Sequence, residues 1–183
     1  NPSAEEIADF HRRVREHNEQ RVQLRKLKGR LARTSDGIAV ELLANIELPQ
    51  DARDALEAGA DGIGLFRSEF LFMDRNELPS EDEQYEAYAR VARAMKGKPV
   101  VIRTLDIGAD KVLTAAARES LGMGRGAPRP ESNPALGLRA IRFSMKEVDL
   151  FKTQLRAILR ASAYGKLRIL IPMVSGVQEI RRV

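Results

Sequence analysis

Two arginines are the side chains best placed to do chemistry. Arg67 closes the apolar run Gly62 to Phe66, and Arg103 closes a second run that opens at Pro99 and continues through Val100, Val101 and Ile102. Short apolar runs bounded by Gly and Pro read as buried strands. Packing gives no reason for a charge at the C-terminal end of such a strand, but in parallel α/β folds that end gathers the functional groups. A guanidinium grips an oxyanion through a planar fork of donors. Two successive strands ending in arginine would point two such forks into one space, which suits a phosphate or a carboxylate. The competing reading is local pairing of each arginine with a nearby acid, Glu69 or Asp106.

Other residues are weaker candidates. Lys111 adds a cation beyond Asp106 and Asp110, either holding a substrate or pairing with Asp110. Arg139 either faces the site or forms a helix-surface ion pair. Glu69 is expected to orient Arg67 rather than act as a base. His11 and His17 are six residues apart, a spacing that keeps them off a common helical face for a metal. The Gly-rich stretch Gly122–Gly126 lacks the Lys-Ser/Thr ending of a phosphate-binding loop. Between Gln20 and Arg33 the residues Arg21, Arg25, Lys26, Lys28, Arg30 and Arg33 occur without an acid. They are either a solvated face or a surface for RNA or an acidic partner.

The elements that must position these residues follow from periodicity and capping. Ser3 and Glu6 make a capping box for a long helix reaching about Lys28, with a thin apolar stripe through Ile7, Phe10, Val14 and Leu24. A strand is expected over Ile38–Ile46, a helix over Asp51–Ala58 closed by Gly59, and the Gly62–Phe66 strand follows. Ser80 and Glu83 cap a helix through Tyr85, Tyr88, Ala89, Ala92 and Met95, after which the Val100–Leu105 strand begins. Ser144 and Glu147 are expected to cap a helix whose buried stripe is Leu150, Phe151, Leu155, Ile158 and Leu159. A strand over Leu167–Val174 follows, and Ser175 with Gln178 starts a last helix. Strands separated by helices pair in parallel through right-handed crossovers. This is an α/β chain with about four β/α units, half of what a closed barrel of this kind needs. The expectation is therefore the front part of a longer protein. The stretch Leu113–Asn133 reads as a long loop, a lid or disorder.

Composition narrows the class. The chain has 183 residues, no cysteine and a net charge of +5, enough for one domain with a core and suited to anionic substrates. No apolar run approaches the ~20 residues needed to span a membrane, and the polar start is unlike a signal peptide. A cytoplasmic location is expected, without membrane or nucleic-acid partners.

Three motifs in register, GADGIGLFRSEFLFMDRNELPSEDEQ, VVIRTLDIGADK and NPALGLRAIR, resemble the Enzyme I family of the bacterial phosphotransferase system, the phosphoenolpyruvate–protein phosphotransferases. Pyruvate phosphate dikinase and phosphoenolpyruvate synthase share the scheme, but the LFMDR run favours Enzyme I. The resemblance implies a partial TIM barrel, the N-terminal half of a (β/α)8 domain, over residues 34–183, with residues 1–33 as a linker helix. It implies phosphoenolpyruvate as substrate, with Arg67 and Arg103 as its ligands and Lys111, Arg139, Asp106 and Glu69 as further site candidates. It also implies Mg²⁺ in the parent protein, a separate phosphohistidine domain, an HPr-type phosphocarrier and a homodimer. Ser68 stands where the family has Thr, and Ala109 replaces a Gly. The family's metal-binding Glu and Asp, its proton-donating Cys and its phosphohistidine motif have no counterpart here. The resemblance thus implies no catalytic or metal residue in this stretch, and a chain inactive by itself. The alternative is a non-catalytic interaction module that uses the basic N-terminal helix.

Overall fold

Alternating helical and strand periods give an α/β structure in which, among the described residues, the strands of the sheet all run the same way. The computed structural model describes residues 2–107 and 133–183, which form two compact units, Asn1–Glu41 and Leu42–Val183. Lys111 and nearly all of the expected Leu113–Asn133 loop lie outside the described residues.

In the first unit, helix α1 (Ala4–Arg25) opens with the expected capping box. Ser3 Oγ accepts from the Glu6 N–H at 3.2 Å, and the Glu6 carboxylate accepts from the Ser3 N–H at 2.7 Å. The helix buries no residue, and its apolar stripe is exposed. Ile38 to Val40 do not open a strand of the sheet as expected. They fold back instead: Arg33 and Ala39 form an antiparallel bridge, and the Val40 N–H donates to Ala32 O at 2.9 Å. The Thr34-Ser35-Asp36-Gly37 turn satisfies the backbone locally, with the Thr34 N–H donating to Ile38 O at 2.9 Å. That local turn outcompetes the sheet for this segment.

The second unit runs β1 (Leu43–Ile46), α2 (Asp51–Ala58), β2 (Gly62–Arg67), a 3-10 turn (Ser68–Leu71), α3 (Glu81–Ala94) and β3 (Val100–Arg103). It resumes with α4 (Ala140–Lys146), α5 (Val148–Ala161), β4 (Leu167–Leu170) and α6 (Val177–Arg182). The four strands form one parallel sheet in the order β1-β2-β3-β4. The Ser80–Glu83 capping box of α3 is formed as expected, and Gly59 closes α2 in the left-handed conformation at φ +96°. Gly62 lets β2 meet its neighbour, because a Cβ there would lie 2.5 Å from Pro99 O.

One face of the sheet carries the core. Ile46, Ile63, Phe66, Val100 and Ile102 pack against Tyr88 and Val91 of α3, its C-cap Met95, and Ala157, Ile158 and Ala161 of α5. Burying side chains of this size contributes ~1.5–3 kcal/mol each. Along β3 the alternate residues Val101 and Arg103 are half-buried and are in register with Arg168 and Leu170 of β4. A second apolar cluster, Phe72, Leu105, Ile107 and Phe143, takes in residues that follow the ends of β2 and β3.

Three capping and packing expectations are corrected. Ser144 is buried within α4, and α5 starts from Glu147 without a side-chain cap. The α5 stripe is Phe151, Gln154, Ala157, Ile158 and Ala161, while Leu159 is exposed. Ala157, Ile158 and Ala161 join the core with α3, and Leu159 falls on the exposed side of the helix. The α6 N-cap is Gly176, and Glu179 rather than Gln178 reaches back, accepting from the Ser175 and Gly176 N–H groups at 2.6 and 3.1 Å.

Candidate functional site

The C-terminal ends of β2 and β3 lie side by side, with Arg67 and Arg103 as the last register pair of their ladder. Each strand leaves the sheet through a hydroxyl residue whose side chain bonds the next strand's main chain. Ser68 Oγ donates to Arg103 O at 2.6 Å, and Thr104 Oγ1 makes a longer 3.5 Å contact with Leu170 O. The apolar cluster of Phe72, Leu105 and Phe143 helps exclude water beyond these ends.

Each arginine meets an acid. Arg67 Nη1 donates to Glu47 Oε1 at 2.7 Å, and both side chains are partly exposed. Arg103 is only 17% exposed. Its Nη2 donates to Glu69, whose side chain is fully buried, and its Nη1 lies 3.4 Å from Asp106 Oδ2. Arg139 closes the chain of charges, with Nε and Nη2 both 3.0 Å from Asp106 Oδ1. Glu69 therefore contacts Arg103 rather than Arg67, because the Ser68–Leu71 turn carries its side chain into the buried space next to β3.

Arg139 reaches the site from a constrained backbone. It is the N-cap of α4, and the next residue, Ala140, is buried at φ +50°. A non-glycine residue in that region stores strain that the surrounding structure must hold. The Ile141 N–H donates to Pro172 O at 3.4 Å, which ties this turn to the segment after β4.

A polar chain lies beneath the charges. Gln154 of α5 bonds Ser68, Tyr88 and the Leu105 main chain. Burial pushes the Tyr88 phenol well above its ordinary pKa, and the neighbouring Gln154 amide and Ser68 hydroxyl offset only part of that rise. Sequence reasoning missed Glu47, Gln154 and this network. A polar residue in phase with Phe151 and Ile158 on a buried helix face was the available signal for Gln154.

The arginines, Asp106, Arg139 and Glu69 thus come together at one sheet end, and Lys111 lies outside the described residues. Glu47, Arg67, Glu69, Arg103, Asp106 and Arg139 balance in charge. An anion entering here competes with these carboxylates for the arginines, and Arg67 is the more easily drawn. Among the described residues no group of three or more His, Cys, Asp or Glu side chains is gathered for a metal. Glu47, Glu69 and Asp106 each face an arginine, so they do not fit the Mg²⁺ that the resemblance implies for the parent protein.

A family model described as PEP-utilising enzyme, PEP-binding domain matches residues 21–183. The chain belongs to this family. It is 48% identical over 182 residues to a phosphoenolpyruvate-protein phosphotransferase of Geobacillus stearothermophilus, covering 100% of this chain and 30% of that protein. A protein of the same name from Cupriavidus necator is 51% identical over 180 residues, covering 98% of this chain and 29% of its own length. A third, from Latilactobacillus sakei, is 47% identical over 182 residues, covering 99% of this chain and 30% of its length. The chain thus spans about 30% of the curated relatives it matches. The resemblance carried by the three motifs holds at the level of the family.

Proposed function

We propose that this chain is the phosphoenolpyruvate-binding part of a phosphoenolpyruvate–protein phosphotransferase. The observation that carries the reading is the Arg67–Arg103 register pair at adjacent parallel strand ends, in a chain of the PEP-binding family. Phosphoenolpyruvate presents a phosphate and a carboxylate, and its enolate gains charge as the phosphoryl group leaves. An arginine already fixed in a water-poor site, as Arg103 is, stabilises that charge without reorganising. Arg67, paired with Glu47 near solvent, exchanges its carboxylate for the ligand. Arg103, anchored by Glu69, supplies the fixed cation, and Arg139 and Asp106 set its surroundings.

In this reading the four strands are the first half of an eight-stranded barrel with residues 1–33 leading into it. The half-buried residues on the face of β3 away from the helices support that placement. The phosphoryl group passes to a histidine of a separate domain and on to an HPr-type phosphocarrier, in the cytoplasm, within a homodimer. Among the described residues no helix is long and apolar enough to cross a membrane. Mg²⁺ belongs to the parent protein's chemistry.

Thermal melting with and without phosphoenolpyruvate tests the reading. Ligand that binds only the folded chain stabilises it by ~2.7 kcal/mol at a hundredfold excess over Kd. The shift should appear with phosphoenolpyruvate and vanish in Arg67→Ala. An unaltered shift in that variant, or an equal shift with inorganic phosphate alone, would count against it.

A further inference from the structure

The Gln154 amide is the hub of the polar chain beneath the two strand ends, and it is only 1% exposed. Its Oε1 accepts from the Leu105 N–H at 2.9 Å. Its Nε2 donates to Ser68 Oγ and to Tyr88 Oη, both at 3.0 Å. The orientation is not arbitrary. The Leu105 N–H can only donate, so the carbonyl oxygen must face it and the NH₂ must face the two hydroxyls. Each hydroxyl then has one proton left to give. Ser68 gives its proton to Arg103 O at 2.6 Å, and Tyr88 gives its proton to Gln84 Oε1 at 3.4 Å. Gln84 in turn donates to Pro79 O at 3.0 Å.

We propose that Gln154 is a positioning residue for the phosphoenolpyruvate site, setting the spacing of the Arg67 and Arg103 strand ends from below. The inference rests on the reading given under Proposed function. The β2–β3 ladder ends at the Arg67–Arg103 pair. Beyond it, one amide links the residue after Arg67 to the main chain on both sides of Thr104, through Arg103 O and the Leu105 N–H. Gln154 bonds neither guanidinium, so it acts through the backbone that carries them. A helix that packs against α3 thereby reads into the geometry of the site. Losing the amide leaves the buried Leu105 N–H without its acceptor and Ser68 without the donor that orients it.

The test compares the 183-residue chain with its Gln154→Met and Gln154→Glu variants, using phosphoenolpyruvate as the probe in calorimetry and amide hydrogen exchange as the structural readout. Gln154→Met should weaken phosphoenolpyruvate binding on the order of tenfold, the scale of one buried hydrogen bond left unmade. Leu105 exchange should quicken while Ile63 and Ile102, inside the ladder, exchange as before. Gln154→Glu keeps an acceptor for the Leu105 N–H but has no NH₂ for the two hydroxyls, so it should recover only part of the binding. Ser68→Ala cuts the same chain one bond further on, and should weaken binding in the same direction if Gln154→Met does not fold. Unchanged affinity in both Gln154→Met and Ser68→Ala, with the parent chain binding normally, overturns the proposal alone. So does equal acceleration of exchange at Leu105, Ile63 and Ile102, which is the mark of a merely structural residue. A parent chain that binds no phosphoenolpyruvate overturns the functional reading, and this inference falls with it.

Discussion

The ends of β2 and β3 share a pattern, an arginine followed by a hydroxyl residue, yet they sit in different media. Arg67 is 38% exposed and meets Glu47 near solvent, whereas Arg103 is 17% exposed and meets a carboxylate with no exposure at all. The same ion-pair chemistry is therefore weak and exchangeable at one end and costly to disturb at the other. The difference suggests a division of labour. One arginine can leave its partner for a ligand, while the other is a fixed part of the fold that a ligand meets already in place.

The largest test of this contrast is Arg103→Met. Removing one partner of a buried ion pair costs ~3–5 kcal/mol, so denaturant unfolding should show a loss of that size. A loss under ~1 kcal/mol, typical of an exposed pair, would erase the contrast. Next comes Tyr88, which reports how dry the ground beneath β3 is. Its folded pKa is raised, so the phenol is protonated in both states below the ordinary value of ~10. Above that pH the unfolded chain ionises first, and stability falls by up to ~1.4 kcal/mol per pH unit until the folded phenol titrates as well. Tyr88→Phe should flatten this alkaline slope in melts taken at rising pH. A slope identical in the two proteins would mean that Tyr88 is not shielded as described.

Smaller effects belong to the exposed end. Arg67→Met should change stability by no more than ~1 kcal/mol while removing the phosphoenolpyruvate-dependent shift in melting. A large stability loss would make Arg67 an anchor like Arg103. Glu47→Gln should have the smallest effect and the opposite sign. It frees Arg67 from its carboxylate and should tighten phosphoenolpyruvate binding by at most about fivefold, the equivalent of an exposed pair. Weaker binding in that variant would show that Glu47 orients Arg67 for the ligand instead of competing with it.

Much of this arrangement was legible in the chain. The capping boxes at Ser3 and Ser80 closed as the sequence implied, because such boxes are satisfied by residues three apart and need no distant partner. The apolar runs ending in Arg67 and Arg103 became neighbouring parallel strands, as buried runs separated by helices must. The first strand came out short, because the turn at Thr34–Gly37 offered Ile38 and Val40 a local antiparallel partner that hydrophobicity alone does not register. The Ser144–Glu147 box failed because Ser144 is drawn into a separate buried helix.

What the sequence determined by itself is short-range and periodic: strand ends, caps, the alternation that forces a parallel sheet, and the family that three motifs in register identify. Which carboxylate each arginine holds was decided only in three dimensions. Glu69 is two residues from Arg67 yet contacts Arg103, and Arg67 is met instead by Glu47, on the far side of a helix in the chain. Gln154 stands still further off in sequence, and its three hydrogen bonds exist only because α5 packs across the sheet. The physical reason is range. Caps and periodicity act over a few residues, whereas a charge or an amide in a dry interior must take whatever partner the packed layers bring within about 3 Å.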